Sequence, residues 1–278
     1  MLRSIYVGEP SGSSIPADAM NLMDTSTFGT IKVIGLGRPE ADLRSFAYAG
    51  IDASCVSGMS ISSRTITLEV DTQNEYQRMQ LYRALPYKKA RRFWFANDTG
   101  IYWIDGYVKE LPYDEEGHEI SSFEISVFCP YPWFRGIELH EQEIIVGEEN
   151  STHLTQTGDA PAGILVYAQG SMSDLGELSS FRLQTDDDYF FAKSRIVSSV
   201  HVPGVFRSLL VDTTPGVEGL GAGGNFSAEF LASIDMSANL ITIDPDSGAD
   251  VSLTVSTTST DLSVYQFFAC WYDTFTAI

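Results

Sequence analysis

From Arg64 to Val70 the chain alternates, with Ile66, Leu68 and Val70 on one side and Thr65, Thr67 and Glu69 on the other. A period of two is that of a strand with one face buried. Thr72, followed three residues later by Glu75, reads as a capping box, and the next dozen residues lack Gly, Pro and β-branched side chains. A helix is therefore predicted, with the stem of Arg78 and with Leu81, Tyr82 and Leu85 at helical spacing, and Pro86 as its stop. It is the one substantial helix that the pattern supports. Three aromatic-rich strand segments follow, RRFWFAN, GIYWIDGYVKEL and EISSFEISVFCPYPWF, joined by turn clusters at 97–100 and 114–117. That spacing predicts two hairpins in series. In the last segment Phe123, Ile125, Val127 and Cys129 share a face against Ser122, Glu124 and Ser126, and Pro130 and Pro132 end the strand.

Before Arg64 only 30–36 (TIKVIGL) reads as a strand, and the first thirty residues give little pattern. After Phe134 the aromatic density falls and basic residues nearly vanish. A domain boundary is expected between Arg135 and Gly147, dividing the chain into 1–140 and 141–278. The second domain offers short strand candidates at 163–168, 181–184, 189–192, 206–211, 226–232, 240–243, 251–255 and 264–272, with turn signals every eight to twelve residues. Such spacing is that of a β-sandwich. The fold class expected is thus mainly all-β in two domains, with one helix in the N-terminal domain.

The formal charge of −20 sharpens this division. Residues 1–140 carry 13 basic and 18 acidic side chains, or −5, and 141–278 carry 4 and 19, or −15. A surface as acidic as the second repels phosphate backbones, so nucleic acid is not expected as a direct partner. No window approaches the roughly 18 consecutive apolar residues that a membrane span needs, and the first residues lack a signal-peptide pattern. A soluble chain made in the cytoplasm is expected, without membrane insertion. Cys55, Cys129 and Cys270 lie far apart, which indicates neither a zinc knuckle nor a disulfide framework.

Few residues are placed for chemistry. His118, His140, His153 and His201 fall in unrelated contexts without metal-ligand spacing. Asp186, Asp187 and Asp188 lack the spacing of an EF-hand, and 219–224 (GLGAGG) lacks the Lys-Ser/Thr pair of a phosphate loop. Asp105 and Glu124 stand beside aromatic residues, as sugar-cleaving carboxylates do, but outward-facing strand positions account for them. No enzyme activity, cofactor or metal is expected. The run Lys88, Lys89, Arg91 and Arg92 complements the C-terminus of the predicted helix or contacts an acidic neighbour.

In order and content, RTITLEV, the helix TQNEYQRMQLYRAL, RFWFAND, and IYWIDGYVKEL running on to the exit FEISVFCPYPWF resemble the distal tail proteins (Dit) of long non-contractile-tailed bacteriophages. Phe123, Glu124, Ser126, Phe128, Cys129, Pro130, Pro132 and Phe134 fill the family's exit pattern. The resemblance covers roughly 60–135 well and the rest loosely; within the C-terminal domain only LLVDTTPG looks familiar. It implies an N-terminal belt-type β-sandwich (1–140) that forms a ring of six copies at the virion tail tip, and a C-terminal galectin-like β-sandwich (141–278). The partners it implies are further copies of the chain, the tail tube protein, the tail-tip hub or tail-associated protein and the tape measure protein. Two further classes compete with it, a carbohydrate-binding adhesin acting on a host cell-surface glycan through the C-terminal domain and a cell-wall glycosidase. For the adhesin, Trp271 and Tyr272, or Tyr189 and Phe190, are the candidates to stack on sugar rings. For the assembly, Trp94, Trp103 and Tyr113, expected to be exposed near Arg91 and Arg92, are the candidates for a partner interface.

Overall fold

The computed structural model describes all residues except 11, 25, 27, 48–53, 62, 112–120, 148–149, 170–177, 186–188, 194–197, 203–204, 213–240 and 258–265. Among those outside it are Tyr113, His118, Asp186 to Asp188, the 219–224 loop, the strand expected at 226–232 and the end of LLVDTTPG. The described chain is mainly β with one helix, as the hydrophobic pattern predicts. It forms two compact units, Met1–Ile137 with Phe275–Ile278, and Glu138–Thr274.

The first unit contains β1 (Ser4–Gly8), β2 (Met20–Asn21), β3 (Gly29–Ile34), β4 (Ala41–Ala47), β5 (Ser54–Ile61), β6 (Arg64–Thr72), α1 (Glu75–Ala84), β7 (Ala90–Ala96), β8 (Ile101–Glu110), β9 (Ser121–Cys129) and the start of β10 (Phe134–Ile144). Its main sheet is antiparallel in the order β3-β6-β9-β8-β7-β1-β2. The long β8 pairs with β7 along one edge; on the other it meets β9 at Tyr107 and Val108 and β10 at Trp103 and Tyr102. The alternation on β6 and β9 is realised in full: Ile66, Leu68, Val70, Phe123, Ile125, Val127 and Cys129 are all buried in one core with Phe93, Phe95 and Leu81. Among the described residues, strands β4 and β5 pair only with each other, over seven residue pairs with a bulge between Arg44 and Ser45.

Helix α1 ends before Pro86, as expected, but its start lies two residues beyond the expected cap. Thr72 is the fully buried last residue of β6. Asn74 is the N-cap, accepting from the Gln77 amide at 3.0 Å, while the Gln77 side chain reaches back to accept from the Gln73 amide at 2.7 Å. One orphan amide of the first turn, that of Gln77, and the Gln73 amide just before the cap are thus satisfied by a variant of the box shifted along the chain.

The second unit holds the rest of β10 with β11 (Thr152–Leu154), β12 (Ala162–Gly163), β13 (Leu165–Gln169), β14 (Leu178–Gln184), β15 (Tyr189–Lys193), β16 (Ser198–Val202), β17 (Val205–Asp212), β18 (Thr242–Ile243), β19 (Ala249–Thr257) and β20 (Gln266–Phe275). One sheet runs β16-β17-β13-β20-β10, a second β11-β19-β14-β15, and β12 pairs with β18. Val166, Phe267, Ala269 and Trp271 from the first meet Leu154, Leu183, Val251 and Leu253 from the second in one core. Two sheets closed on a shared apolar layer make a sandwich. At one point the backbone itself is the packing surface: a Cβ at Gly158 would lie 1.9 Å from the Thr274 carbonyl oxygen.

Candidate assembly interface

In an antiparallel pair, residues directly opposite each other share a face. Register therefore sets Arg92 opposite Asp105, Trp94 opposite Trp103, and Arg135 opposite Trp103. The side chains form one continuous group on the face of β7 and β8 that points away from the Phe93 and Phe95 core. Arg92 binds Asp105 through two parallel bonds, Nε to Oδ1 at 2.7 Å and Nη2 to Oδ2 at 2.8 Å, and also donates to the Gly12 carbonyl. Its guanidinium lies 3.6 Å from the centroid of the Trp103 ring; that of Arg135 lies 4.7 Å from the same ring and 4.5 Å from Tyr131. Each indole N–H finds a carbonyl, Trp94 at Ser13 and Trp103 at Gly136, both at 2.8 Å.

These contacts correct the exposure expected of this group. Trp94 and Trp103 are 0% and 2% exposed, and Arg91 and Arg92 are 9% and 8%. The charges are buried because each is satisfied inside the unit, which is the condition under which a guanidinium can leave water. Arg91 points to the opposite side, donating from Nε to the Ala84 carbonyl at the end of α1 at 2.7 Å and from Nη1 to Glu9 at 3.2 Å. It thereby fills the helix-capping role expected of the basic run. A groove of about 290 Å³ opens beside it, lined among others by Val7, Glu9, Met20, Arg83 and Arg91.

A third buried cation, Arg64, has no carboxylate among its described partners. It donates from Nη1 to Gly35 at 3.0 Å and from Nη2 to Thr276 at 2.6 Å, and lies 4.3 Å from the Phe134 ring centroid. Burial pulls its pKa down to about 10. Burial likewise pushes the adjacent Cys129 thiol up to about 12, against the pull of Arg64 and with a smaller push from Asp105. An acid held protonated so far above neutrality is not a nucleophile.

In the second unit Trp271 is 5% exposed, and its ring stacks on His140 with centroids 5.4 Å apart and planes 23° from parallel. A sugar ring stacks on an open aromatic face, so Trp271 is corrected from a stacking candidate to a core residue. Tyr272 is half-buried. The side chains of Tyr189 and Phe190 lie outside the described residues. Asp273 lies 3.2 Å from His140 Nε2 and accepts from the Thr157 amide at 3.0 Å and hydroxyl at 2.6 Å. Asp105, a candidate sugar-cleaving carboxylate on its aromatic setting alone, is committed to Arg92. Among the described residues no three His, Cys, Asp or Glu side chains gather where a metal ion would be held.

Exposed apolar side chains lie away from the residues that the hydrophobic pattern singles out. On α1 and the turn after it Tyr76, Met79 and Tyr87 are 70%, 46% and 62% exposed; on and just after β10, Leu139 and Ile145 are 45% and 65% exposed. Low amphipathicity on α1, which buries Gln77 and exposes Tyr76, was the available signal.

The crystal structure of the SPP1 Dit protein, a paradigm of the hub adsorption apparatus in phages infecting Gram-positive bacteria, superposes on this chain with a TM-score of 0.58, covering 98% of this chain and 100% of that one at 12% identity. The chain has the fold of a phage distal tail protein. The likeness covers both units and so extends past the 60–135 stretch that carries the sequence resemblance. Two structures of the phage P2 baseplate in its activated conformation, one with Ca and one with Sr, align at 11% identity with TM-scores of 0.46 and 0.47, over 97% and 96% of this chain and 98% and 97% of theirs. No protein-family model and no curated protein sequence matches. The distal tail fold is thus reached by shape at an identity where sequence comparison is silent.

Proposed function

We infer that this chain is a structural component of a phage tail tip, in which six copies form a ring that joins the tail tube to the adsorption apparatus. The observation that carries this reading is the full-length likeness to SPP1 Dit, spanning both units with almost nothing left over on either chain. A second feature agrees with it. An isolated two-stranded hairpin is marginal in water, yet β4 and β5 extend over seven and eight residues and pair with no other described strand. Such an arm is stabilised when it meets another surface, which in a ring is the neighbouring copy.

The first unit is the belt domain in this reading, and the second is galectin-like. The partners are the tail tube protein, the tail-tip hub and the tape measure protein, and the place of action is the virion tail tip. The chain has no catalytic role. Negative-stain microscopy and light scattering of the purified chain test the reading: rings of six are expected, together with antibody labelling at the tail tip of intact virions. A monomer at every concentration, with no label on the tail, would overturn it.

A further inference from the structure

Helix α1 presents to solvent what a helix serving only its own core would bury. Tyr76, Met79 and Arg83 follow at intervals of three and four residues and so share a face, and Tyr87, Lys88 and Lys89 lie in the turn after the helix. All six are exposed. Residues 78–92 hold six of the 17 basic side chains and no acidic one. Arg91 and Arg92 are used internally, but among the described residues Arg83, Lys88 and Lys89 enter no ion pair. The face therefore carries apolar, aromatic and cationic side chains, with the exposed Glu75 at its N-terminal end, on a chain of net charge −20.

A surface of opposite character lies along β10. Leu139, Glu141, Glu143 and Ile145 alternate onto one side and are all exposed, two apolar side chains flanking two carboxylates. They belong to the unit that carries 4 basic and 20 acidic residues, or −16. The two stripes match in extent, since a ten-residue helix runs about 15 Å and seven strand residues about 20 Å.

We propose that the α1 face of one copy, through Tyr76, Met79, Arg83, Lys88 and Lys89, docks on the Leu139–Glu141–Glu143–Ile145 stripe of a second copy. The proposal rests on the self-assembly inferred above and supplies the residues for it. Apolar groups meet apolar groups and three cations face two carboxylates, which fixes register and excludes the like-charged alternatives. Because the two surfaces differ, the contact is head-to-tail, and it closes into a ring where the rotation between copies permits. A nucleic-acid occupant fits less well, since the chain as a whole repels phosphate.

Charge exchange on the full-length chain tests this by light scattering across a concentration series. The triple variant Arg83→Glu, Lys88→Glu, Lys89→Glu and the double variant Glu141→Lys, Glu143→Lys are each expected to raise the concentration for half-assembly about tenfold or more. Combining the five changes is expected to return it to within about threefold of the parent. Tyr76→Ser with Met79→Ser, which alters no charge and leaves the urea midpoint unchanged, is expected to weaken assembly as well. If the parent assembles and neither reversal moves the midpoint, this contact is overturned while self-assembly stands. Loss on reversal without recovery in the combined variant overturns the pairing of these two stripes. A parent that stays monomeric refutes self-assembly itself, and this contact with it.

Discussion

The Arg92–Asp105 pair makes a prediction in which the direction of the asymmetry matters as much as the size. Removing one partner of a fully buried ion pair costs about 3–5 kcal/mol, because an uncompensated charge is left behind, whereas an exposed pair contributes about 0–1 kcal/mol. This pair is intermediate and lopsided: the Arg92 side chain is 10% exposed and that of Asp105 34%. Asp105→Asn strands the buried partner, and the water that reaches the carboxylate side softens the loss to about 2 kcal/mol. Arg92→Met strands the wetter partner and keeps a chain over the Trp103 ring, so about 1 kcal/mol is expected. Urea unfolding followed by tryptophan fluorescence is the assay, since Trp94, Trp103 and Trp133 lie in the first unit and only Trp271 in the second. With a slope of about 2 kcal/mol per M, Asp105→Asn lowers the midpoint by about 1 M and Arg92→Met by about half that. Equal losses, a larger loss for Arg92→Met, or a loss below about 0.5 kcal/mol for Asp105→Asn would refute the argument that burial of the guanidinium sets the cost.

Three further outcomes follow from single sites. Gly158→Ala forces a Cβ against the Thr274 carbonyl at 1.9 Å, so the second unit is expected to lose at least about 3 kcal/mol in calorimetry while the first keeps its transition. Cys129, buried and with its pKa pushed up to about 12, is expected to stay unmodified by a thiol reagent at pH 8 until urea unfolds the chain, as read by peptide mass spectrometry. Burial draws the Asp273 carboxyl upward, but the Thr157 hydroxyl and amide and His140 together outweigh it and hold the group below the usual carboxylate range. A carboxylate lowered in this way contributes stability above its unfolded pKa of roughly 3.9 and loses it as pH falls through the folded value, so the destabilisation by Asp273→Asn is expected to be full at pH 7 and to shrink toward pH 3.

The hydrophobic pattern reports one thing well, a strand with one dry face and one wet face. Strands β6 and β9 are of that kind, and Ile66, Leu68, Val70, Phe123, Ile125, Val127 and Cys129 are all found where alternation puts them. Strand β7 is not, since five consecutive residues from Arg91 to Phe95 are buried. Its second face is covered by the segment carrying Gly12 and Ser13, which the sequence shows only as a featureless turn-rich stretch. Arg92 and Trp94 therefore read as exposed. Strand β10 fails in the opposite sense, because Ile137 to Glu143 are exposed or half-buried and show no dry face. A loss of aromatic and basic residues there reads as a domain boundary, and a strand of 11 residues runs through it. At α1 the stretch DTQNEYQ holds two superposed cap patterns, Thr72 with Glu75 and Asn74 with Gln77. Burial of Thr72 in the sheet decides between them, and burial is a tertiary fact.

The least legible contacts are those that the last four residues make with the rest of the first unit. Arg64 and Thr276 meet across 212 positions, and residues 275–278 belong to the first unit, with Phe275 edge-on to Tyr102 at 5.0 Å and the Ile278 amide on the Leu36 carbonyl at 3.2 Å. No local pattern announces such a return, because four residues are too few to carry a period. Its energetics are nevertheless constrained. Arg64 is 4% exposed without a described carboxylate, so its charge is held by the two carbonyls and the Phe134 ring, and one of those carbonyls arrives with residue 276. During synthesis the first 137 residues emerge before that carbonyl exists. The Arg64 site is therefore completed only after the 137 residues of the second unit have been made, and the entropy of closing so long a loop grows only logarithmically with its length. A buried cation finished by Thr276 makes the core of the first unit depend on a segment that follows the whole second unit, although nearly all of its strands precede Glu138.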